Sequence, residues 1–408
     1  MGYTSTAIKG ISWMGALRLG TRALTVVRIA ILARMLSPLQ FGTVGIATIA
    51  LGFVEILTET GINVFLVQER GKIDTYINTA WIVSIIRGFV ISLTIVVAAP
   101  FIASFFHAPD ALPLLLLTSI VPILRGFINP AIIQFQKELA FHREFWFRFW
   151  IFTADSSIAI LLVFITRDGA SLIWGFIAGA TLEVLLSFLL VKPTPRFAFE
   201  KEKFLKVLHR GKWVTMAGIL DFVFRHGDDV VVGRILPIAS LGLYTNAYKI
   251  SELPLTEIAA VVSKVTFPVF SKISDDIVRL KRAFFRTTIS IALLTIPIGV
   301  VLFFFPQQLI LLILGPAWVE AAPALRILSL FGVVRAISGS IFVLFLAMKQ
   351  QKYITITLLV STGALAITIV PFVLRFGIEG AAFSGLIASV VGLIASLFYL
   401  PRLLRSTA

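Results

Sequence analysis

The sequence predicts an all-α integral membrane protein with twelve transmembrane helices. Of its 408 residues, 58% are hydrophobic and only 14% are charged, whereas soluble domains carry roughly 25% charged residues. The mean hydropathy is +0.98. Apolar runs of about 20 residues, each long enough to cross a hydrocarbon core of about 30 Å, recur along the whole chain. No polar region between them is long enough to form a soluble domain.

The apolar runs divide into two sets of six. The first set covers 7–34, 41–66, 76–104, 111–134, 144–166 and 170–191, and the second covers 211–233, 240–268, 284–305, 319–347, 353–374 and 378–401. Residues 306–317 predict a short interfacial helix before the tenth span. The predicted domains are an N-terminal six-helix lobe over 1–192, a cytoplasmic linker over 193–210 and a C-terminal six-helix lobe over 211–408.

The basic residues of the loops predict the orientation in the membrane. One alternating set of loops is rich in Lys and Arg, from Arg70 and Lys72 after the second span to Arg402 and Arg405 after the last. The opposite loops hold only four basic residues, Arg34, Arg167, Arg234 and Arg375. Because Lys and Arg collect in cytoplasmic loops, both termini are predicted to be cytoplasmic. The same bias explains the net charge of +15. The charge therefore does not indicate a nucleic-acid partner.

The two halves of the chain resemble each other. Residues 34–42 and 234–242 are similar at an offset of 200, and Arg125 and Arg335 correspond at an offset of 210. The second offset is ten residues larger than the first, and a longer loop in the second half, such as 306–317, can account for these residues. Because each half has six helices, both enter the membrane in the same sense, and a parallel pseudo-two-fold repeat is predicted.

Ionisable side chains occur within the predicted spans, where each would cost about 2.5–3.5 kcal/mol if it faced lipid near the bilayer centre. They must therefore pair with one another or line an aqueous cavity. Guanidinium groups donate forked hydrogen bonds that suit a phosphate or an acidic sugar. Five basic residues of spans 1, 7 and 8 are predicted to form a cationic substrate-binding cavity: Arg18, Arg22, Arg28, Arg225 and Lys249.

Carboxylates in the same group of spans are candidates for coupling transport to a proton or a sodium ion. The four candidates are Glu55, Glu59, Asp228 and Asp229. A structural role, as an interhelical salt bridge or as a basic side chain reaching the interface, is the favoured interpretation for five other residues. These are Arg87, Asp155, Glu183, Lys264 and Arg326.

Several classes of protein are disfavoured by what the sequence lacks. It contains no cysteine, and its four histidines do not have metal-ligand spacing. No Walker A, Ser-His-Asp or His-Glu-x-x-His pattern is present. Neither a metal nor a cofactor is predicted, and an enzyme is disfavoured. A membrane glycosyltransferase would need a catalytic acidic cluster outside the membrane, and an open channel fits a two-fold repeat with mixed internal charges poorly.

The residues near each predicted lobe's start resemble the polysaccharide flippases. These are the O-antigen and exopolysaccharide transporters of the multidrug/oligosaccharidyl-lipid/polysaccharide superfamily. In the first half the resemblance lies in Gly10-Ile11-Ser12-Trp13, in Arg22 and Arg28, and in Leu36-Ser37-Pro38-Leu39-Gln40-Phe41-Gly42. In the second half it lies in Asp228-Asp229-Val230-Val231-Val232-Gly233-Arg234-Ile235-Leu236 and Gly242-Leu243-Tyr244. The similarity covers the whole chain, although its motifs are diffuse.

This resemblance implies two six-helix lobes around a cationic cavity in the inner membrane of a bacterium. It implies a flippase that moves a lipid-linked oligosaccharide, typically on undecaprenyl diphosphate, from the cytoplasmic to the periplasmic leaflet by alternating access. Membrane lipid, a polysaccharide polymerase and chain-length proteins are the implied partners. The chain also resembles the lipid II flippases, which have fourteen spans rather than twelve. The alternative is a cation-coupled multidrug exporter of the same superfamily, against which the arginines of span 1 count.

Overall fold

The structure, a computed structural model, describes residues 20–58, 74–138, 140–198, 200, 219 and 222–405. These residues form helices joined by short turns, and they contain no β-strand. The chain divides into two compact units, Met1–Gly227 and Asp228–Ala408. The prediction of an all-α fold is confirmed, whereas the division into lobes over 1–192 and 211–408 stays a prediction.

The first unit begins with α1 over 20–35 and α2 at Pro38–Leu57. Ser37 ends the turn between them and caps α2. Its hydroxyl accepts from the Gln40 backbone N–H at 3.3 Å, while the Gln40 side chain accepts from the Ser37 N–H at 3.0 Å. This reciprocal capping box satisfies two backbone donors, and Pro38 at the first position needs no acceptor. The motif Ser-Pro-Leu-Gln therefore determines where α2 begins.

Three of the other helices of the first unit follow predicted spans closely, namely Asp74–Phe105, Phe141–Thr166 and Ala170–Leu190. After α2 come α3 (Asp74–Phe105), α4 (Ala111–Thr118), α5 (Ile120–Gly126), α6 (Gln134–Lys137), α7 (Phe141–Thr166) and α8 (Ala170–Leu190). A 3-10 turn at Pro130–Ile133 precedes α6. Helix α9 over 222–235 contains the boundary between the two units. Residues 59–66 of the predicted second span lie outside the described residues.

The fourth predicted span, 111–134, is broken rather than continuous. Helices α4 and α5 form its first part, and a 3-10 turn forms the rest because Asn129 adopts an extended conformation before Pro130. The residue before a proline avoids the helical region for steric reasons. The Asn129 side chain accepts from the Ala131 N–H at 2.9 Å and so starts the 3-10 turn. Its amide also donates to the carbonyl of Pro193 at 3.1 Å.

The segment that follows α8 packs on the start of α3. The Arg196 N–H donates to the Asn78 side chain at 2.8 Å, and the Phe197 ring lies 4.7 Å from the Trp81 ring. The Trp81 indole donates in turn to the carbonyl of Phe127 at 3.0 Å. The beginning of the predicted linker is therefore attached to the first unit.

The second unit contains five long helices and one short one among the described residues. They are α10 (Ile238–Lys272), α11 (Ile277–Phe304), α12 (Pro306–Ile313), α13 (Ala322–Ala347), and the helical stretch Gln351–Arg405, which Gly377 divides into α14 before it and α15 after it. A 3-10 turn at Pro316–Ala321 follows α12. The prediction of a short helix within 306–317 is confirmed.

Gly377 separates two helices that would otherwise be far too long for one membrane crossing. The stretch has 55 residues, whereas about 20 suffice to span a bilayer. Gly377 has a φ of 59° and a ψ of −135°, a conformation that side-chain-bearing residues rarely adopt. At Gly380, a Cβ atom would overlap the carbonyl group of Phe372. The two glycines thus permit a tight connection between α14 and α15.

The helices have the length and the surface of a membrane protein. Eight helices in the described part of the chain are long and apolar enough to cross a membrane. Large apolar side chains cover their outer faces, and Phe101, Leu189 and Ile367 are 74%, 75% and 77% exposed. Soluble monomers rarely expose contiguous apolar areas of this kind. The chain is a multi-pass membrane protein.

Candidate functional site

A cavity of about 430 Å³ lies within the first unit. This volume is in the range of about 300–1,000 Å³ that is usual for small-molecule sites. Helices α2, α3, α5, α7 and α8 contribute to it. Its polar lining consists of Glu55, Ser84, Arg87, Arg125, Arg148 and Glu183. Three arginines and two glutamates therefore meet inside a bundle whose outer surface is apolar.

Two glycines bring α3 and α5 together at the wall of this cavity. A Cβ atom on Gly88 would overlap the carbonyl oxygen of Pro122, and one on Gly126 would lie 2.9 Å from the carbonyl oxygen of Ser84. No other residue could occupy either position without moving the backbone of the neighbouring helix. All four of these residues line the cavity. Its shape therefore depends on the contact between α3 and α5.

Two of the arginines hold the C-terminal end of α2. Arg125 Nη1 lies 3.2 Å from Glu55 Oε1, and Arg87 Nη2 donates to the Glu55 backbone carbonyl at 2.7 Å. Arg87 Nε also donates to the Thr58 hydroxyl at 3.4 Å. The last carbonyls of a helix lack intrahelical partners and favour a nearby cation. Glu55, a predicted coupling residue, is thus held by its side chain and by its backbone.

Arg148 and Glu183 complete the charged lining. Arg148 Nε lies 2.9 Å from Glu144 Oε1, one turn earlier on α7, and Glu144 is buried. Among the described residues, Glu183 of α8 makes no hydrogen bond or ion pair. Arg125 and Arg148, which line the same cavity, are near enough to attract its carboxylate.

Arg28, a predicted substrate ligand on α1, forms a buried ion pair. Its Nη1 lies 2.7 Å from Asp155 Oδ2, and its guanidinium lies 5.3 Å from the centre of the Phe176 ring. Arg28 Nη2 and Asp155 Oδ1 have no hydrogen-bond partner among the described residues. Gly175 of α8 allows this arrangement, because a Cβ there would lie 2.7 Å from Asp155 Oδ1. The salt bridge favoured for Asp155 on sequence grounds is confirmed.

Two other predicted residues of the first unit lie outside the lining of this cavity. Arg22 and Arg225 are exposed on α1 and α9, and neither belongs to the lining of the cavity. Arg18 and Glu59 lie outside the described residues. The assignment of Arg18, Arg22, Arg28 and Arg225 to substrate binding stays a prediction.

In the second unit, Asp228 is buried and accepts a hydrogen bond from the Tyr244 hydroxyl at 2.7 Å. The backbone N–H of Asp229 donates to Asp228 Oδ1 at 3.0 Å. Lys249 lies exposed on α10. The proposed roles of Asp228 and Asp229 in coupling and of Lys249 in substrate binding stay predictions.

Each unit contains an arginine–glutamate pair that joins two of its helices. In the second unit, Arg335 of α13 lies 2.9 Å from Glu252 of α10 and donates to the Tyr248 hydroxyl at 2.7 Å. Arg335 corresponds in sequence to Arg125, which pairs with Glu55 of α2. The offset of 210 residues between the two arginines indicated their equivalence, but only the structure shows that both bind a glutamate.

These side chains have the chemistry to bind a polar, anionic solute among apolar helices. Charge-assisted hydrogen bonds from guanidinium groups are stronger than neutral ones, and they match the oxygens of carboxylates and phosphates. In the described residues, no group of three or more His, Asp or Glu side chains could hold a metal ion. The site is therefore organised around arginine rather than around a clustered metal-binding group.

The apolar helices and the charged cavity among them are typical of an integral membrane transporter. Comparison with known families identifies the particular group. Residues 31–323 match the family described as polysaccharide biosynthesis protein. The match covers more than half of the chain, and the chain belongs to this family.

Characterised and uncharacterised relatives agree with this assignment. An uncharacterized membrane protein in the cps region of Klebsiella pneumoniae is 24% identical over 402 residues, which is 96% of this chain and 82% of that protein. The lipopolysaccharide biosynthesis protein WzxC of Escherichia coli (strain K12) is 21% identical over 85% of this chain and 71% of its own length.

Solved structures share the fold. The lipid II flippase MurJ in an inward closed conformation aligns with a TM-score of 0.79 and 19% identity, over 94% of this chain and 86% of MurJ. An inward-facing multidrug resistance MATE transporter aligns with a TM-score of 0.71 and 15% identity, over 97% of this chain and all of that chain. The sequence-based assignment to the polysaccharide flippases, and to a transporter rather than an enzyme, is confirmed.

Proposed function

We propose that this chain moves a polyprenyl-diphosphate-linked oligosaccharide, the repeat unit of an O-antigen or exopolysaccharide, from the cytoplasmic to the periplasmic leaflet. The observation that carries the proposal is the cavity of the first unit, where three arginines and two glutamates meet inside apolar helices. A hydrophilic head group needs such a path because unpaired charge is costly in the bilayer. The family and the fold shared with a lipid II flippase support the same substrate class.

The proposed architecture has twelve spans in two lobes related by a parallel repeat, with both termini in the cytoplasm of a bacterial cell. Division at Gly377 turns the eight long apolar helices into nine. The broken span Ala111–Gly126 and the helices over 20–35 and 222–235 bring the number to twelve. The alternation of basic and neutral loops supports the orientation.

Cysteine labelling tests this topology directly, because the chain contains no native cysteine. Asp168→Cys in the turn after α7 is expected to react with a membrane-impermeant maleimide added to intact cells. Asp275→Cys in the turn after α10 is expected to react only after the membrane is opened. Both side chains are exposed in the structure. The reverse pattern, or labelling of both in intact cells, would contradict the proposed orientation.

Within this architecture, the diphosphate is proposed to bind the basic residues of spans 1, 7 and 8, namely Arg18, Arg22, Arg28, Arg225 and Lys249. Glu55, Glu59, Asp228 and Asp229 are the proposed sites for a coupling proton or sodium ion. Undecaprenyl is the proposed lipid carrier. A polymerase and chain-length proteins are the proposed partners that use the translocated repeat unit.

Reconstitution provides the test of the function. In proteoliposomes that contain the purified chain, an undecaprenyl-diphosphate oligosaccharide with a fluorescent sugar is expected to become accessible to an external membrane-impermeant quencher. Protein-free liposomes should show no such movement. Movement of a lipophilic cationic dye without movement of the lipid-linked sugar would favour the alternative, a cation-coupled multidrug exporter. That result would contradict the proposal.

A further inference from the structure

Helix α11 of the second unit carries a stripe of exposed apolar side chains along one face. Each member of this lipid-facing stripe is more than half exposed: Val278, Phe285, Ile289 and Leu293. Residues three, four and seven apart share one face of an α-helix. The opposite face packs into the unit through the buried Leu280 and Phe284. Because α11 is long and apolar enough to cross the membrane, these exposed side chains are suited to contact lipid.

Two arginines lie within the lipid-facing stripe. Arg282 and Arg286 are one helical turn apart, and both are exposed. Neither side chain makes a hydrogen bond or an ion pair with the described residues, whereas Arg279, one turn nearer the start of α11, is paired with Asp276 at 3.2 Å. Like charges four residues apart repel each other and destabilise a helix. An anion from outside the chain would relieve that repulsion.

The position of the two arginines along α11 matches the level of lipid head groups. The stretch 287–304, which follows Arg286, contains no charged residue. At about 1.5 Å per residue it is about 27 Å long, which is close to the thickness of the hydrocarbon core, about 30 Å. When this stretch crosses the core, Arg286 lies at the boundary of the core and Arg282 lies one turn further out, among the phosphates.

We propose that Arg282 and Arg286 bind the phosphate of one anionic phospholipid of the surrounding membrane. The acyl chains of this lipid lie along Phe285, Ile289 and Leu293. Guanidinium groups match phosphate oxygens with forked hydrogen bonds. The Cβ atoms of residues four apart on a helix are about 5–6 Å from each other, so both side chains can reach one phosphate.

Charge and orientation select this occupant. Two unpaired guanidinium groups attract a lipid with a net negative charge, whereas a zwitterionic lipid also brings an ammonium group that they repel. On the proposed orientation the lipid belongs to the cytoplasmic leaflet, which has a negative surface. The site lies in the second unit, so it is separate from the cavity of the first unit.

Fluorescence quenching can locate the lipid, because the chain contains no native cysteine. The full chain carries a fluorophore on Ser290→Cys, an exposed position one turn after Arg286, and is reconstituted in phosphatidylcholine vesicles. Phosphatidylglycerol with a nitroxide near the head of an acyl chain is expected to quench the fluorophore at a lower mole fraction than equally labelled phosphatidylcholine. The expected preference is about fivefold or more, the factor that one basic residue near a membrane surface contributes.

Two double variants in this labelled chain separate the site from the net charge. Arg282→Gln with Arg286→Gln is expected to abolish the preference for phosphatidylglycerol. Lys349→Gln with Lys352→Gln is the matched control and should keep it. The residues that flank these lysines pack in one hydrophobic cluster with the start of α11, so the control removes two positive charges from the same end of the unit. All four side chains are exposed, so both variants should elute like the wild type in size-exclusion chromatography.

Salt provides a measurement on the wild type that does not depend on any variant. In about 1 M sodium chloride the Debye length is about 3 Å, so the preference for phosphatidylglycerol should fall. Equal quenching by the two lipids, or a preference that salt leaves unchanged, would overturn the inference. An equal loss of preference in both double variants would show that only net charge attracts the lipid. Complete displacement of the labelled lipid by one equivalent of undecaprenyl diphosphate would assign the stripe to the carrier lipid instead.

Discussion

Replacing Arg28 with alanine is expected to abolish surface polysaccharide in cells that depend on this chain. The change removes the 2.7 Å ion pair with Asp155 and leaves that carboxylate buried beside Phe176 and Gly175. Removing one partner of a buried pair typically costs about 3–5 kcal/mol. Polysaccharide should be measured in whole-cell extracts, together with the amount of the protein in the membrane fraction.

Two further variants separate stability from substrate binding at this position. The double variant Arg28→Ala with Asp155→Ala removes both charges, so it should restore the protein level. It should still lack polysaccharide if Arg28 also binds the diphosphate. Arg22→Ala, at an exposed position on the same helix, should stop export while the protein level stays normal. Full polysaccharide display in both single arginine variants would refute the phosphate-binding role.

Gly88→Ala is expected to have the second large effect. The added methyl group would overlap the carbonyl oxygen of Pro122, so α3 and α5 must separate along the cavity wall. Overpacking of this kind typically costs about 1–3 kcal/mol. The variant should unfold at a lower temperature in detergent than the wild type, and it should move lipid-linked sugar poorly in proteoliposomes.

Gly339→Ala is the matched control for this change. Gly339 also lies within a long helix, but a Cβ atom there would meet nothing within 4 Å. Alanine favours the helix over glycine by up to about 1 kcal/mol. This variant should therefore unfold at or above the wild-type temperature. If Gly88→Ala unfolds at the same temperature as the wild type, the stability of the protein does not require the close contact between α3 and α5.

Most of the fold follows from local sequence signals. Span length is encoded in the apolar runs, so the predicted 144–166 and 170–191 differ little from Phe141–Thr166 and Ala170–Leu190. The interruption at Asn129 also has a local cause, since proline restricts the residue before it, although the span was predicted as continuous over 111–134. Between α4 and α5 the backbone stays helical, since Ser119 has a φ of −62° and a ψ of −17° and its N–H donates to the carbonyl of Leu115.

The site was less predictable because its partners are far apart in the chain. The cost of burying charge identified Arg28, Glu55 and Arg125 as residues that need a partner. It could not show that Arg28 meets Asp155 or that Arg125 meets Glu55, since periodicity within one helix says nothing about contacts between distant helices. Arg148 was not among the predicted site residues, yet it lies on α7 and lines the cavity.

Asn129 connects the segment that follows α8 to the cavity of the first unit. Its amide donates to the carbonyl of Pro193, while the next residue, Pro130, forms part of the cavity's lining. A displacement of this segment would therefore either break that hydrogen bond or move Asn129 and the neighbouring lining residue Pro130. We therefore expect a change in the length of this segment to alter the cavity near Pro130 without replacing any residue of its lining.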